Sequence, residues 1–320
     1  MSEQRVRRAG RRAALPAVAL VALGAALAGC GGGTDTTSTG AGQAAQAGGS
    51  VTIADKGFTE SQIVTQIYAQ ALEARGFDVT VRSLGTSQLA DGAVRRGDID
   101  VYPEYTGTAF LTILGRRPVD DPAAVYPAVR AAYAGRGLTA LAQSPYNNDN
   151  RVACTRRAAE DEHLTTLTSL GPASPRLTYS ANPEHLTRAD GLPVLQRVYG
   201  VHFKDVVQVA INQRYRPVQD GQAQCVYAFG TDPQIARLDL VVLRDDRGVF
   251  QGTPFRSFPV VNTRWLDGLG QGGGAFVATV DRVSRELTNE RMRALNARVD
   301  LQNEDPEDVA HDFLRDRGIT

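Results

Sequence analysis

Lysine, histidine and cysteine are scarce in this chain, although it is rich in charge. Its 320 residues include 35 basic and 35 acidic side chains, but only two lysines, four histidines and three cysteines. The histidines show no zinc-ligand spacing to the cysteines, which argues against a metal site, and we expect no cofactor. A balanced charge without a basic stripe also argues against nucleic acid as a partner.

The motifs of several common enzyme classes are also absent from the sequence. It contains no G-x-S-x-G, no H-E-x-x-H and no G-x-x-x-x-G-K-[ST] pattern. The glycine-rich run QGGGAF (271–276) lacks the lysine and the strand-to-helix context of a phosphate loop, so we interpret it as a flexible turn. Glu104, Asp98 and Asp100 are close in sequence, but spacing alone does not make two carboxylates face one bond. A secreted enzyme that uses Glu104 is therefore the less favoured hypothesis.

What the chain does have at its start is the pattern of an export signal. Five arginines precede an apolar run over 13–29, and small residues lead to Cys30 in LAGC. This resembles the lipobox of bacterial lipoproteins, in which the cysteine becomes a lipid-modified N-terminus. The alternative is an uncleaved anchor, because the run is close to the length of a bilayer span. We predict a signal peptide over 1–29 and a lipid anchor at Cys30 on the outer face of the cell membrane (or a periplasmic location).

The next segment, 30–50, is rich in glycine, alanine and threonine and contains almost no apolar bulk. Such a composition is typical of a flexible tether. Removing residues 1–29 takes away five arginines and one glutamate, which leaves 30 basic and 34 acidic residues in the mature chain.

From Val51 onward, strand and helix patterns alternate. We predict strands at 51–55, 77–84 and 99–102 and helices at 59–76 and 86–97, the helices capped by Thr59 and Thr86. This alternation is typical of a parallel sheet built from βαβ units.

The pattern recurs in the second half of the chain. Further strands are predicted at 151–155, 205–210, 223–229 and 238–246, with helical regions from 167, at 183–200 and at 289–318, the last interrupted near Asp305. We therefore predict an α/β fold with two lobes, lobe 1 formed by 51–146 plus 255–320 and lobe 2 by 147–254.

A chain that crosses twice between two lobes leaves a cleft between them. Ligands of parallel α/β sheets bind beyond the carboxyl ends of the strands. The run YPEYTGT (102–108) follows a predicted strand directly. We therefore place this run at the cleft.

Three side chains have two interpretations each on the residues alone. Cys154 and Cys225 remain once Cys30 is assigned to the anchor, and outside the cell membrane such a pair favours a disulfide over two unpaired buried thiols. Lys56, in DKGFTE at the end of the first strand, is a candidate partner for a carboxylate. A solvated loop lysine is equally compatible with its position.

Several stretches, in order and at matching spacing, carry a resemblance to a known family. They are DKGFTESQIVTQIYAQALEARGFDVTV, RRGDIDVYPEYTGTAF, NPEHLTRADGLPVLQRVYG and AFGTDPQIARLDLVVLRDDRG. They resemble the osmoprotectant-binding proteins of ABC importers, which bind glycine betaine, carnitine or choline. The resemblance implies a type II periplasmic-binding-protein fold, a non-catalytic and monomeric receptor, a quaternary-ammonium or zwitterionic ligand, and a permease in the membrane as partner.

The resemblance also assigns the site. In this family an aromatic box holds the quaternary ammonium by cation–π attraction, and a lysine, a threonine and an arginine hold the carboxylate. Matched motif by motif, the anion-binding residues are Lys56, Thr108 and Arg188, with the acidic Glu184 four positions before the arginine.

The aromatic box implied by the resemblance is Tyr105, Phe229 and Phe255, with Val152 at a position where the family has a tyrosine. A missing wall implies a modest affinity for glycine betaine, or an amino-acid-like osmolyte with a smaller cationic end. Tyr146 and Tyr227 are nearby candidates for the missing ring. In YPEYTGT we expect Gly107 to allow a close backbone approach and Glu104 to be structural.

Overall fold

The computed structural model describes residues 48–119, 121–250 and 253–319. The predicted signal peptide, Cys30 and most of the tether lie outside the described residues. Within those ranges, no helix combines the length and the apolar character needed to cross a membrane.

Ten strands and fourteen helices run through the described ranges. The strands are β1 (Gly49–Asp55), β2 (Phe77–Ser83), β3 (Val101–Tyr105), β4 (Leu138–Ala140), β5 (Asn150–Thr155), β6 (Thr178–Ala181), β7 (Asp205–Gln208), β8 (Cys225–Phe229), β9 (Leu240–Val242) and β10 (Ser257–Asn262). The helices of the first half are α1 (Thr59–Glu73), α2 (Ser87–Arg96), α3 (Thr106–Thr108), α4 (Val125–Ala134), α5 (Arg156–Asp161), α6 (Leu167–Ala173) and α7 (Pro183–Thr187). Those of the second half are α8 (Leu192–Tyr199), α9 (Arg216–Gln219), α10 (Gln234–Arg237), α11 (Thr263–Gly268), α12 (Gln271–Glu286), α13 (Asn289–Gln302) and α14 (Pro306–Asp316). A π-helical turn, Ala109–Ile113, continues α3.

The strands form two five-stranded sheets with the same internal order. The first sheet has the order β2-β1-β3-β10-β4 and the second the order β7-β6-β8-β5-β9. In each sheet one strand is antiparallel to both of its neighbours, β10 in the first and β5 in the second. Each is the first strand formed after the chain crosses from the other sheet. This confirms the predicted α/β fold with two mostly parallel sheets.

Each sheet is covered by helices and has its own apolar core. In the first core, α1 packs against α12, α13 and α14 and buries Ile63 and Ile67 completely. The second core contains Tyr179, Leu195 and the Cys154 side chain. Cys154 and Cys225 are directly opposite each other on β5 and β8, where a disulfide joins them.

The structure corrects two local predictions. Thr59 does not cap α1, because the residue before the helix is Phe58; the Thr59 hydroxyl donates to Asp300 Oδ1 at 2.5 Å instead. The run QGGGAF is not a turn but the start of the sixteen-residue helix α12. Phe276 and Val280 bury one face of that helix, so apolar packing outweighs the low helix propensity of glycine.

Two other predicted elements have different bounds. Strand β3 continues past Tyr102 to Tyr105, because β10 pairs with it as far as the Ser257–Tyr105 register. The helical region 183–200 is divided into α7 and α8, and Arg188 lies in the connection between them.

Candidate functional site

A cavity lies between the two sheets, beyond the strand ends. Its walls combine both lobes: Lys56, Phe58, Thr86, Ser87, Tyr105 and Thr108 come from the first sheet and its connections, Asn150, Glu184, Arg188, Ile211, Tyr227 and Phe229 from the second, and Asn148 and Phe255 from the two crossings. Lys56 and Thr108 are each only 4 % exposed. Both side chains are therefore shielded from solvent in this structure.

Lys56 is an inward-facing residue at the end of β1. Its Nζ donates to Glu104 Oε1 at 2.6 Å and to Ser87 Oγ at 3.4 Å. It also lies 4.4 Å from the centroid of the Tyr105 ring, within cation–π range. Burial lowers the pKa of Lys56, and the Glu104 carboxylate opposes that shift. The lysine is buried and paired with Glu104, which excludes the interpretation as a solvated loop residue.

Glu104 is held from two sides at the floor of the site. Besides Lys56, the backbone N–H of Tyr105 donates to the same oxygen, Oε1, at 2.7 Å. The side chain is fully buried. Glu104 therefore has a structural role, because its carboxylate pairs with the buried amino group of Lys56.

Arg188 brings the two lobes into direct contact. Its Nη2 donates to Thr108 Oγ1, across the cleft, at 3.1 Å. Two further bonds go to Asp190, from Nε at 2.8 Å and from Nη2 at 2.5 Å. Burial raises the pKa of Asp190, but the bidentate arginine outweighs it, so the pKa is lowered overall. Asp190 was not predicted as a site residue, although the motif TRAD places an acid two residues after the arginine.

Glu184 faces the same part of the cavity but is weakly paired. Its Oε1 is 3.6 Å from Arg188 Nη1 and has no hydrogen-bond partner among the described residues. Burial raises the pKa of this carboxyl group, and the Arg188 and Lys56 charges act against that shift. Glu184 Oε1 therefore has an ion-pair contact with Arg188 but no hydrogen bond among the described residues.

Five aromatic side chains line the cavity, two more than the resemblance assigned. Tyr105, Phe229 and Phe255 are joined by Phe58 and Tyr227. The Phe58 ring lies 6.1 Å from that of Tyr105 and 5.8 Å from that of Phe229, and the Tyr227 ring lies 4.9 Å from that of Phe229. Phe58 was missed, although an aromatic residue two positions after Lys56 is the signal that identifies it.

The position of Val152 corrects the expected box. Val152 is fully buried and packs in the second core. The residue of β5 that lines the cavity is Asn150, two positions earlier, and it accepts the Tyr227 hydroxyl at 2.7 Å. Tyr146 is also fully buried, and its ring packs against Tyr105 at 6.4 Å in an edge-on arrangement.

Basic side chains and aromatic rings that line one interlobe cavity are features of a solute-binding protein. The sequence model of the family described as the substrate binding domain of ABC-type glycine betaine transport system matches residues 49–316. The chain therefore belongs to this family, whose members are the receptors of importers with a permease in the membrane.

Individual relatives agree with this assignment. The chain is 32 % identical over 280 residues to a glycine-betaine-binding protein of Pseudomonas aeruginosa, covering 83 % of this chain and 88 % of that protein. It is 26 % identical to an ergothioneine transport permease/binding protein of Helicobacter pylori, covering 83 % of this chain and 47 % of that longer protein. A crystal structure of a glycine betaine/carnitine/choline ABC transporter has the same fold, with a TM-score of 0.66, 23 % identity and coverage of 84 % of this chain and 99 % of that chain.

Proposed function

We propose that this chain is the receptor of an importer for a small carboxylate-bearing quaternary ammonium compound, with glycine betaine as the first candidate. The observation that carries the proposal is that one cavity combines two chemistries. Lys56, Thr108 and Arg188 share its lining with five aromatic rings. A zwitterion carries a group that suits each of them.

The cavity has the hydrogen-bond donors that a ligand carboxylate needs. An ammonium group has three donors and a guanidinium five. Lys56 uses donors on Glu104 and Ser87, and Arg188 uses donors on Asp190 and Thr108. The Thr108 hydroxyl accepts from Arg188, so its own hydrogen is available to a carboxylate oxygen.

The aromatic side chains of the cavity suit a cation that has no hydrogen-bond donors of its own. A trimethylammonium group gains from π faces, by about 0.5–2 kcal/mol for each ring. Tyr105, Tyr227 and Phe229 line this cavity. Phe255 and Phe58, the latter not expected from the sequence, also line it.

The remaining parts of the proposal follow the family. We assign no catalytic role, because Glu104, the acid that an enzyme would use, is engaged by Lys56 and by the backbone of Tyr105. We further propose a monomer over lobes 51–146 plus 255–320 and 147–254, held to the membrane by lipid at Cys30.

A paired substitution tests the anion-binding residues without leaving a buried charge unpaired. Replacing Lys56→Met together with Glu104→Gln removes the ion pair as a unit, whereas Lys56→Met alone leaves a buried carboxylate, at a cost of about 3–5 kcal/mol. We expect the double variant to bind glycine betaine about tenfold or more weakly, because one charge-assisted hydrogen bond is lost. Binding of choline, which has no carboxylate, should change much less.

Calorimetric titration measures both affinities. The matched control is Lys204→Met, which replaces the only other lysine at an exposed position of the second lobe. Equal losses for glycine betaine and choline in the double variant would contradict the role of Lys56 as a carboxylate ligand.

A second candidate ligand is a betaine that also carries a hydroxyl or ring N–H donor. The Oε1 atom of Glu184 favours it, because this atom has no hydrogen bond among the described residues and a buried acceptor gains from a donor supplied by the ligand. Carnitine and ergothioneine have such donors. They should then bind more tightly than glycine betaine, and Glu184→Met should remove the difference.

A further inference from the structure

Glu60 is a buried carboxylate on α1 that belongs to none of the site residues assigned so far. Its side chain is 3 % exposed. It accepts hydrogen bonds from Tyr105 Oη at 2.7 Å, from Asn148 Nδ2 at 2.8 Å, from Asn296 Nδ2 at 3.1 Å and from Thr231 Oγ1. Both carboxylate oxygens are therefore satisfied, each by two donors.

The donors come from different parts of the molecule. Tyr105 is a cavity wall at the end of β3, and Asn148 lines the cavity on the first crossing between the sheets. Thr231 follows β8 of the second sheet, and Asn296 belongs to α13. Glu60 thus connects a ring that lines the cavity to the second lobe and to the connection between the lobes.

The bond from Tyr105 also changes the charge distribution of that ring. A hydroxyl that donates to a carboxylate is polarised, and chains of such bonds strengthen one another in a low-dielectric interior. The oxygen then shifts negative charge into the ring, and cation–π attraction is an electrostatic attraction to that charge. The Tyr105 hydroxyl keeps its proton, because burial raises its pKa well above the usual value.

The amino group of Lys56 lies against this ring in the structure, with Nζ 4.4 Å from the Tyr105 centroid. The ring is fixed in this place by Glu60 at its hydroxyl and by Tyr146 at its side. Its orientation and its charge therefore depend on the same carboxylate.

We propose that Glu60 is a positioning residue for cation binding, which acts through the Tyr105 hydroxyl by fixing the ring and by increasing the negative charge of its face. The inference rests on the proposed function, since Tyr105 is a wall of that cavity. A purely structural role, in which Glu60 only holds α1, α13 and the second lobe together, is the alternative.

Two ligands that differ in charge but not in shape separate these roles. Glycine betaine carries the trimethylammonium group, and 3,3-dimethylbutanoate has the same shape with a neutral carbon in place of nitrogen. Glu60→Gln keeps an acceptor for the Tyr105 hydroxyl but removes the charge. We expect this variant to bind glycine betaine about fivefold to tenfold more weakly, and the isostere with less than about a twofold change.

Tyr105→Phe should produce the same selective loss, because it removes the donor and keeps the ring. The double variant should be no weaker than Tyr105→Phe alone, since coupled residues are not additive. Glu73→Gln is the control, because it removes a charge from the exposed end of the same helix. It should leave both affinities unchanged.

Three results would overturn the inference. They are an unchanged affinity for glycine betaine in Glu60→Gln, an equal loss for both ligands, and additive losses in the double variant. If Glu60→Gln does not fold, Tyr105→Phe decides, and an unchanged ratio of the two affinities counts against the inference. If the wild-type protein binds neither ligand, the proposed function fails as well; if it binds glycine betaine and no variant changes the ratio, only the inference fails.

Discussion

Gly107 is packed directly under the ring of Phe255. A Cβ atom at this position would lie 2.7 Å from three atoms of that ring, which is far inside contact distance. We expect Gly107→Ala to displace Phe255, to lower the stability by about 1–3 kcal/mol through overpacking, and to weaken ligand binding. Thermal unfolding and calorimetric titration measure the two effects.

A second glycine provides the matched control. Gly274 lies in α12 with nothing within 4 Å of an added Cβ. Gly274→Ala should therefore stabilise the protein by about 0.5–1 kcal/mol, because alanine is the better helix former. If both substitutions shift the melting temperature in the same direction, the close packing of Gly107 against Phe255 does not explain the effect of Gly107→Ala.

His185 makes the second lobe sensitive to acid. Its ring stacks on Tyr227 with centroids 3.7 Å apart, and burial lowers its pKa from 6.5 to about 3. The unfolded chain takes up a proton near pH 6.5 and the folded protein does not, so stability is full above that pH and falls as the pH decreases toward 3. Between pH 6.5 and pH 5 we expect this group to remove about 2 kcal/mol.

Urea unfolding at neutral pH and at pH 5 tests the sign and size of this effect. The loss should be smaller in His185→Gln, which has no proton to gain, and should persist in His202→Gln, which changes an exposed histidine of the same lobe. An identical pH dependence in the wild type and in His185→Gln would show that other groups cause it.

At the site, the sequence located the residues that motifs fix and missed those that tertiary packing fixes. Lys56, Thr108 and Arg188 lie within short motifs, and the structure brings all three to one cavity. The prediction that Val152 lines the cavity was wrong. Val152 and Asn150 are two positions apart on one strand and share a face, so the sequence pattern does not distinguish them. Only the β5–β8 pairing places Asn150 opposite Phe229, and Val152 in the core below it.

Among the elements, β3 and α12 show what local patterns cannot reveal. The predicted strand ended at Tyr102, but β3 continues because β10, 152 residues later at its first contact, pairs with its final residues. The glycines of α12 suggested a turn, but the helix is stabilised by its buried face. Both cases depend on partners distant in the sequence, whereas α2 was recognised because its cap, Thr86, and its terminal Gly97 are local signals.

A disulfide between Cys154 and Cys225 joins β5 to β8 in the second sheet. A disulfide that closes a loop of 71 residues stabilises by about 4 kcal/mol in the chain-entropy account. We expect the double variant Cys154→Ala with Cys225→Ala to lose stability of that order. Peptide mapping without reduction should find the two cysteines joined, and free thiols at both positions would contradict the pairing.

At the scale of the whole molecule, two sheets of identical strand order are joined by two crossings. Asn148 is on one crossing and Phe255 on the other, and both line the cavity. The elements that join the lobes therefore also touch the ligand site. We expect separation of the lobes to expose the buried Lys56 and Thr108 and closure to bury them again, which is the hinge motion of a receptor.

The fold at this scale was predictable because it follows from repeated βαβ patterns and two crossings. The antiparallel strands β5 and β10 were not predictable as such, since their direction is set by where each crossing enters the opposite sheet. The same crossings determine which residues from the two halves of the chain meet.

The central claim is that one cavity recognises a carboxylate and a quaternary ammonium together. Calorimetric titration of the wild-type protein with glycine betaine, choline and 3,3-dimethylbutanoate tests it most directly, because the last two ligands each lack one of the charged groups. We predict that glycine betaine binds at least about tenfold more tightly than either, since each missing group removes about 1.4 kcal/mol or more. Choline binding as tightly as glycine betaine, or the neutral isostere doing so, would contradict the claim.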